Sequence, residues 1–231
     1  FWGAWDRFDY QGAQRCLNEI PSHSVALLDD FLPSPEQRSL LGVLASRLPE
    51  QVKERVRLCR ALTADLLANA ERRLAEGRLE EVLVRVYRIL ELITTYRLFN
   101  LEIDCERANW NDRRVREWLE SRKETDSGSS RPARALGRKL SAELLAYLEQ
   151  RQPESGRNRI AERLRDTRGW LGVNDAELRN GSILIHGLAS SSARVAGKVA
   201  EILGKVREFY YEEHEGNGAL HEAARFPFTA V

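Results

Sequence analysis

Two long helical patterns separated by a single glycine constrain this chain most. Between residues 50 and 75 the pattern VKERVRLCRALTADLLANAERRLA places Val52, Val56, Leu58, Leu62, Leu66, Leu67 and Leu74 at helical intervals. Gly77 interrupts it, and LEEVLVRVYRILELITTYRLFNLEI resumes at once. Two amphipathic helices with so short a connection must fold back on each other as an αα-hairpin. The second arm is apolar on more than one side, through Val82, Val84, Val86, Ile89, Leu90, Leu92 and Ile93. That pattern predicts a central, largely buried helix.

The rest of the chain also reads as helix. Trp2, Trp5, Phe8, Ala13, Cys16 and Leu17 predict one element that Pro21 stops, and the short segment HSVALLDDFL precedes Pro33. Ser34-Pro35-Glu36-Gln37 predicts an N-cap, a proline in the first turn and a capping-box glutamine, opening a helix to about residue 47. ANWNDRRVREWLESR predicts an amphipathic helix, and RKETDSGSSRPAR (122–134) a mobile loop. Helices are expected again at about 135–149, 157–168, 175–189 and 193–213, with an irregular tail from residue 216. No strand pattern is present, so the class is all-α with a central αα-hairpin. The expected division is a helical segment, 1–49, packing on a helical domain, 50–231. AERRLAEGRLEEVLVRVYRILE is similar to a tetratricopeptide helix pair, and Asp9 lies two 34-residue periods before Gly77. The intervening position near Val43 has no counterpart, and fewer than three such units do not stand alone. A tetratricopeptide-like scaffold remains an alternative.

Composition narrows the function. Of the 231 residues 42% are hydrophobic and 31% charged, which suits a soluble globular chain with a real core. Net charge is +1, so no global basic field exists and any nucleic-acid contact requires a local patch. Arginine supplies most of the positive charge, 31 residues against 5 lysines. Arginine is the better bidentate phosphate ligand, but the bias equally fits a coding preference. Cys16, Cys59 and Cys105 are far apart and form neither a disulfide framework nor a zinc-ligand spacing, so no metal and a reducing, cytoplasmic compartment are expected. No apolar run approaches the roughly 20 residues of a membrane span, and no signal peptide is visible, so no membrane partner is expected.

With four histidines and 31 arginines, roughly one or two Arg–His pairs with four to six intervening residues arise by chance. Two exist: Arg179 with His186, and Arg207 with His214. The second lies in REFYYEEH, among glutamates and just before a GNG turn, and reads as the charged end of a helix. The first lies in ELRNGSILIHGL (177–188), where Asn180 adds an amide and Ser182 shares the helix face between Arg179 and His186. On a helix Arg179 and His186 would occupy one face, about 10 Å apart along the axis. Gly181 and Gly187 each cost a helix interior roughly 0.5–1 kcal/mol, which close approach of another backbone or a ligand would offset. A helix cap at Gly187 with a core His186 accounts for the same residues.

The string from Arg179 to Gly187 resembles the Arg-x(4–6)-His motif of HEPN ribonucleases, in which a polar residue often follows the arginine. More narrowly it is similar to the C-terminal HEPN region of CARF–HEPN ribonucleases of type III CRISPR systems. WDRFDYQGAQRCL and LLANAERRLAEGRLEEVLVRVYRILELI extend the resemblance over most of the chain. It implies a HEPN-like helical bundle and metal-independent, cofactor-free cleavage of single-stranded RNA in antiviral defence. The ribose 2′-hydroxyl attacks the adjacent phosphate, leaving a 2′,3′-cyclic phosphate and a 5′-hydroxyl. It also implies a CARF domain N-terminal to Phe1, through which cyclic oligoadenylate would activate the enzyme. Arg179 would stabilise transition-state charge, His186 would move or position the proton, and Asn180 would orient Arg179 or the ribose. Ser182 is a secondary candidate. A homodimer through the Arg179–His186 helix would bring two copies of each group to one groove. Arg194, Lys198 and Lys205 on the following helix would track the RNA backbone, and Trp170, Phe209 and Tyr210 would stack bases; the commoner reading of such residues is solvated cations and core aromatics. A non-catalytic dimerisation or binding module on the same fold is the other alternative.

Overall fold

A computed structural model describes residues 1–21, 24, 28–105, 111–123, 136–151, 158–180 and 192–227. All regular structure among them is helical: α1 (Trp2–Asp6), α2 (Tyr10–Asn18), a 3₁₀ turn (Asp29–Phe31), α3 (Pro35–Leu44), α4 (Val52–Ala75), α5 (Leu79–Asn100), α6 (Arg113–Lys123), α7 (Arg138–Glu149), α8 (Asn158–Arg165), α9 (Thr167–Leu171), α10 (Asp175–Asn180), α11 (Ser192–Glu213) and α12 (Asn217–Ala224).

Helices α4 and α5 form the predicted hairpin. Gly77 adopts φ 72°, a left-handed value that side chains with a Cβ resist. There the Gly77 N–H donates to the Leu74 carbonyl at 3.0 Å and the Arg78 N–H to that of Arg73 at 2.9 Å. This Schellman pairing satisfies the last carbonyls of α4 and reverses the chain. Helix α4 buries the small Ala61, Ala64, Ala68 and Ala70, whereas α5 buries Val82, Leu83, Val86, Ile89, Leu90 and Ile93. Small side chains on one arm and branched ones on the other let the two axes approach closely. Helices α4, α7, α8, α10 and α11 all pack against α5, which makes it the expected central helix. A solenoid, in which each repeat touches only its neighbours, has no such hub, and the tetratricopeptide-like alternative falls on that ground.

Two polar clusters fix the outer helices. Arg97, near the end of α5, donates to Glu149 of α7 at 2.9 Å from Nε and to Glu213 of α11 at 2.9 Å from Nη1. The Tyr96 hydroxyl also binds Glu213, and Asn217 of α12 reaches the same carboxylate at 3.3 Å. Both carboxylates and the guanidinium are almost wholly buried. The second cluster joins WDRFDYQGAQRCL to the polar stripe of α4. The Trp5 indole N–H and the Tyr10 hydroxyl each donate to the buried Asp65 carboxylate at 2.8 Å. Asp6 accepts from Asn69 and from Arg72, both at 3.0 Å, and from Arg73. The Arg72 guanidinium lies 3.7 Å from the Phe226 ring centroid, and Phe226 packs on Trp2 and Trp5. The first and last described segments therefore close on α4 together.

The predicted capping box at the start of α3 is present: Gln37 N–H donates to Ser34 Oγ at 3.2 Å, and Ser34 N–H to Gln37 Oε1 at 2.8 Å. Several boundaries differ from expectation. The first predicted helix divides into α1 and α2 because Phe8 takes φ 63° and Asp9 caps α2 through the Gly12 N–H. The predicted 157–168 helix breaks at Asp166, which caps α9 through the Gly169 N–H. The tail from residue 216 is not irregular but contains α12. Its inward face carries the buried Asn217 and His221, whose polarity hides the amphipathic period. Most of the loop predicted over 122–134 lies outside the described residues, and Arg122 and Lys123 belong to α6.

Burial raises the Asp65 carboxyl to about 6, against the opposing hydrogen bonds from Tyr10 and Trp5 and the charge of Arg72. A folded value above the unfolded one, near 3.9, means that the native state holds this proton more tightly. Its stabilising contribution is full below about pH 4 and is lost as pH rises through about 6. Asp65→Asn should remove that slope, so between pH 4 and pH 7 the parent should lose on the order of 2–3 kcal/mol relative to the variant in urea unfolding. Arg97→Leu leaves Glu149 and Glu213 buried without their shared cation. Urea unfolding at pH 7 should show a loss of about 3–5 kcal/mol.

Candidate active site

Helix α10 carries Arg179 and Asn180, and it is only six residues long. So short a helix is marginal alone and depends on its attachments. Three are present. Asn174 and Glu177 form a reciprocal cap, Asn174 N–H to Glu177 Oε2 at 2.7 Å and Glu177 N–H to Asn174 Oδ1 at 3.0 Å. Leu178 is fully buried and seats the helix on α5. Asp175 is ion-paired with Arg138 of α7 and accepts a 3.1 Å hydrogen bond from Thr167 Oγ1. Arg138 is itself buried, donates to the Leu164 carbonyl at 3.1 Å and lies 5.9 Å from the Tyr87 ring centroid. The Tyr87 hydroxyl is held above its ordinary pKa by burial first, then by Glu91 and Asp175, with Arg138 and Arg179 opposing. Residues from α5, α7 and α10 thus share one electrostatic neighbourhood.

From this base Arg179 and Asn180 project as exposed residues. The Arg179 guanidinium makes no hydrogen bond or ion pair among the described residues. Arg55, Arg72, Arg73, Arg97 and Arg138, by contrast, all hold carboxylates. Ser182 and His186, with Gly181 and Gly187, lie outside the described residues.

Helix α11 places Arg194, Lys198 and Lys205 on one face, since they follow at intervals of four and seven residues. Arg194 is exposed. Lys198 and Lys205 both bind Glu201, at 3.2 and 2.7 Å, and their charges hold that carboxyl below its ordinary range, the hydrogen bond from Lys205 foremost. The Lys198 amine lies 3.7 Å from where a Cβ on Gly172 would sit. The stripe therefore passes beside the turn that launches α10. The aromatic residues expected to stack bases do not line it. Phe209 and Tyr210 are fully buried, and Trp170 is half-buried, its ring 5.0 Å from Phe209 and its N–H donating to the Arg163 carbonyl at 2.8 Å. They belong to the core because the i, i+3/i+4 period that exposes the cations turns these rings inward.

The second Arg–His pair is divided between two partners. Arg207 pairs with Glu71 at 3.4 Å, and His214 Nδ1 accepts from Arg60 at 2.9 Å and from the Gly216 N–H at 3.0 Å. The reading of His214 as a structural helix-end residue fits this geometry. The sequence reading missed Arg138, Asp175, Thr167 and Tyr87. Asn174-Asp175-Ala176-Glu177 did carry a capping signal, but nothing local marks Arg138 among so many arginines. Among the described residues no group of three His, Cys, Asp or Glu side chains is placed to hold a metal ion, and no helix is long and apolar enough to cross a membrane.

The family model described as Csm6 HEPN domain matches residues 51–211, well over half of the chain. The match opens at the start of the hairpin and includes Arg179, His186 and most of α11. No curated protein and no solved structure matches the chain significantly.

If Leu178 is what seats α10, Leu178→Ala should cost about 2–4 kcal/mol in urea unfolding. It should also speed amide exchange at residues 175–180 beyond the change at α4.

Proposed function

Because the chain belongs to the Csm6 HEPN domain family, we propose that it is a CRISPR-associated endoribonuclease whose chemistry rests on Arg179 and His186. The substrate is single-stranded RNA. The 2′-hydroxyl of one ribose attacks the adjacent phosphorus, the bond to the 5′-oxygen of the next nucleotide breaks, and a 2′,3′-cyclic phosphate and a 5′-hydroxyl remain. No metal is required. Arg179 donates two parallel hydrogen bonds to the phosphorane oxygens as negative charge accumulates there. His186 takes the 2′-proton or supplies one to the leaving oxygen, a role for which an imidazole with an ordinary value near 6.5 is suited. Asn180 orients the guanidinium or the ribose, and Ser182 stands beside them as a secondary hydroxyl.

One observation carries this reading: an exposed guanidinium without a counter-ion among the described residues, on a short helix tied down from below. A charged side chain held ready in that way suits a phosphate better than it suits a structural pair. Two copies of the chain, meeting through the Arg179–His186 segment, would present two such cations to one RNA. Arg194, Lys198 and Lys205 extend the positive surface along α11. Activation by cyclic oligoadenylate through a CARF domain on the N-terminal side completes the proposal, and the activity serves antiviral defence in the cytoplasm.

The test is cleavage of a labelled single-stranded RNA in the presence of EDTA, with the mass of each variant measured by light scattering. Arg179→Ala and His186→Ala should each lower the rate by about 10²–10⁴, with the dimer intact. Undiminished cleavage by either variant overturns the assignment. A parent that cleaves only when EDTA is omitted overturns the metal-independent chemistry.

A further inference from the structure

Asp175 and Arg179 stand four residues apart on α10, with the acid on the N-terminal side. On a helix that spacing and order favour a mutual salt bridge. It does not form. Asp175 is engaged instead by Arg138 and by the Thr167 hydroxyl, on the buried side of the helix. Arg138 is anchored to this task. Its side chain is 2% exposed and its Nη2 donates to the Leu164 carbonyl, so losing Asp175 would strand a buried charge.

We propose that Arg138 is a positioning residue that keeps Asp175 from neutralising Arg179. This rests on the reading of Arg179 as the group that meets the phosphate. A guanidinium already holding a carboxylate one turn away loses hydrogen bonds and charge that the phosphorane requires. Competition for a single carboxylate settles which arginine is free. The buried cation wins because the low-polarity surroundings strengthen its attraction, whereas an exposed i, i+4 pair is worth only about 0.3–0.5 kcal/mol. Substrate affinity depends on many contacts, so the loss falls on turnover more than on binding.

The experiment measures kcat and KM for RNA cleavage, with thermal unfolding monitored throughout, on the full chain. Arg138→Met should lower kcat about two- to threefold with a smaller change in KM, because Asp175 turns to Arg179 in an exposed pair of that modest strength. Adding Asp175→Ala to that variant should return kcat to the parent's value, since no carboxylate then remains to hold Arg179. Arg138→Lys, which keeps the cation, should recover most of the activity. Should Arg138→Met not fold, Arg138→Gln takes its place, alone and with Asp175→Ala. Recovery on adding the second substitution is the decisive sign, because a merely structural loss would deepen. An unchanged kcat in the Arg138 variant, or a double variant no better than the single one, overturns the inference. Arg179→Ala run in parallel separates the two levels. If it retains activity, the site assignment and this inference both fail; if it is inactive while Arg138→Gln is fully active, only this inference fails.

Discussion

A single buried guanidinium holds the architecture together. Arg97 reaches two carboxylates that arrive from different helices, Glu149 on α7 and Glu213 on α11, and the Tyr96 hydroxyl and Asn217 satisfy the second of them. Four helices meet at that point, and each must present its polar atom within hydrogen-bond reach or leave a charge stranded in a medium that solvates it poorly. Apolar packing along α5 tolerates small slides of one helix past another. The Arg97 cluster does not, and so it sets the register in which α7 and α11 lie against the hairpin. Helices α8, α9 and α10 follow α7 in the chain and inherit that register.

The legible parts of the fold are those written in local chemistry. Gly77 announces a left-handed residue, Ser34 and Gln37 announce a reciprocal cap, and the doubly apolar second arm announces a hub helix. Each depends on residues only a few positions apart. The illegible parts depend on distant partners. Asp65 interrupts an apolar stretch of α4 and reads as a surface residue, yet Trp5 and Tyr10, some sixty positions earlier, make it a buried acceptor. Helix α12 escaped because its inward side chains are Asn217 and His221, and a polar core face looks like no face at all. The rings of Trp170, Phe209 and Tyr210 were left with two readings for a related reason, and the core reading holds. Their types suit both a base platform and a core, and only packing distinguishes the two.

The site shows the same division. Arg179 and Asn180 were singled out as candidates from their type and spacing, and they stand on the surface. What keeps them there comes from elsewhere in the chain: Arg138 from α7, Thr167 from α9, and the seat provided by α5. None of these has a motif, because a supporting residue is defined by the place to which the fold delivers it. The basic stripe of α11 is a further case. Its lysines share Glu201, so the formal charges counted along the sequence overstate the field that reaches solvent.

The clasp formed by Trp2, Trp5 and Phe226 over Arg72 also orders the assembly in time. The hairpin joins neighbours in the chain and can close as soon as both arms exist, whereas the clasp joins residues more than two hundred positions apart and must wait for a far larger loop to shut. On a ribosome the hairpin would be complete while Phe226 was still unmade. Until Phe226 is made, Trp2 and Trp5, beside the adjoining Phe1 ring, lack the cover that it supplies, and the nascent chain carries an exposed aromatic patch.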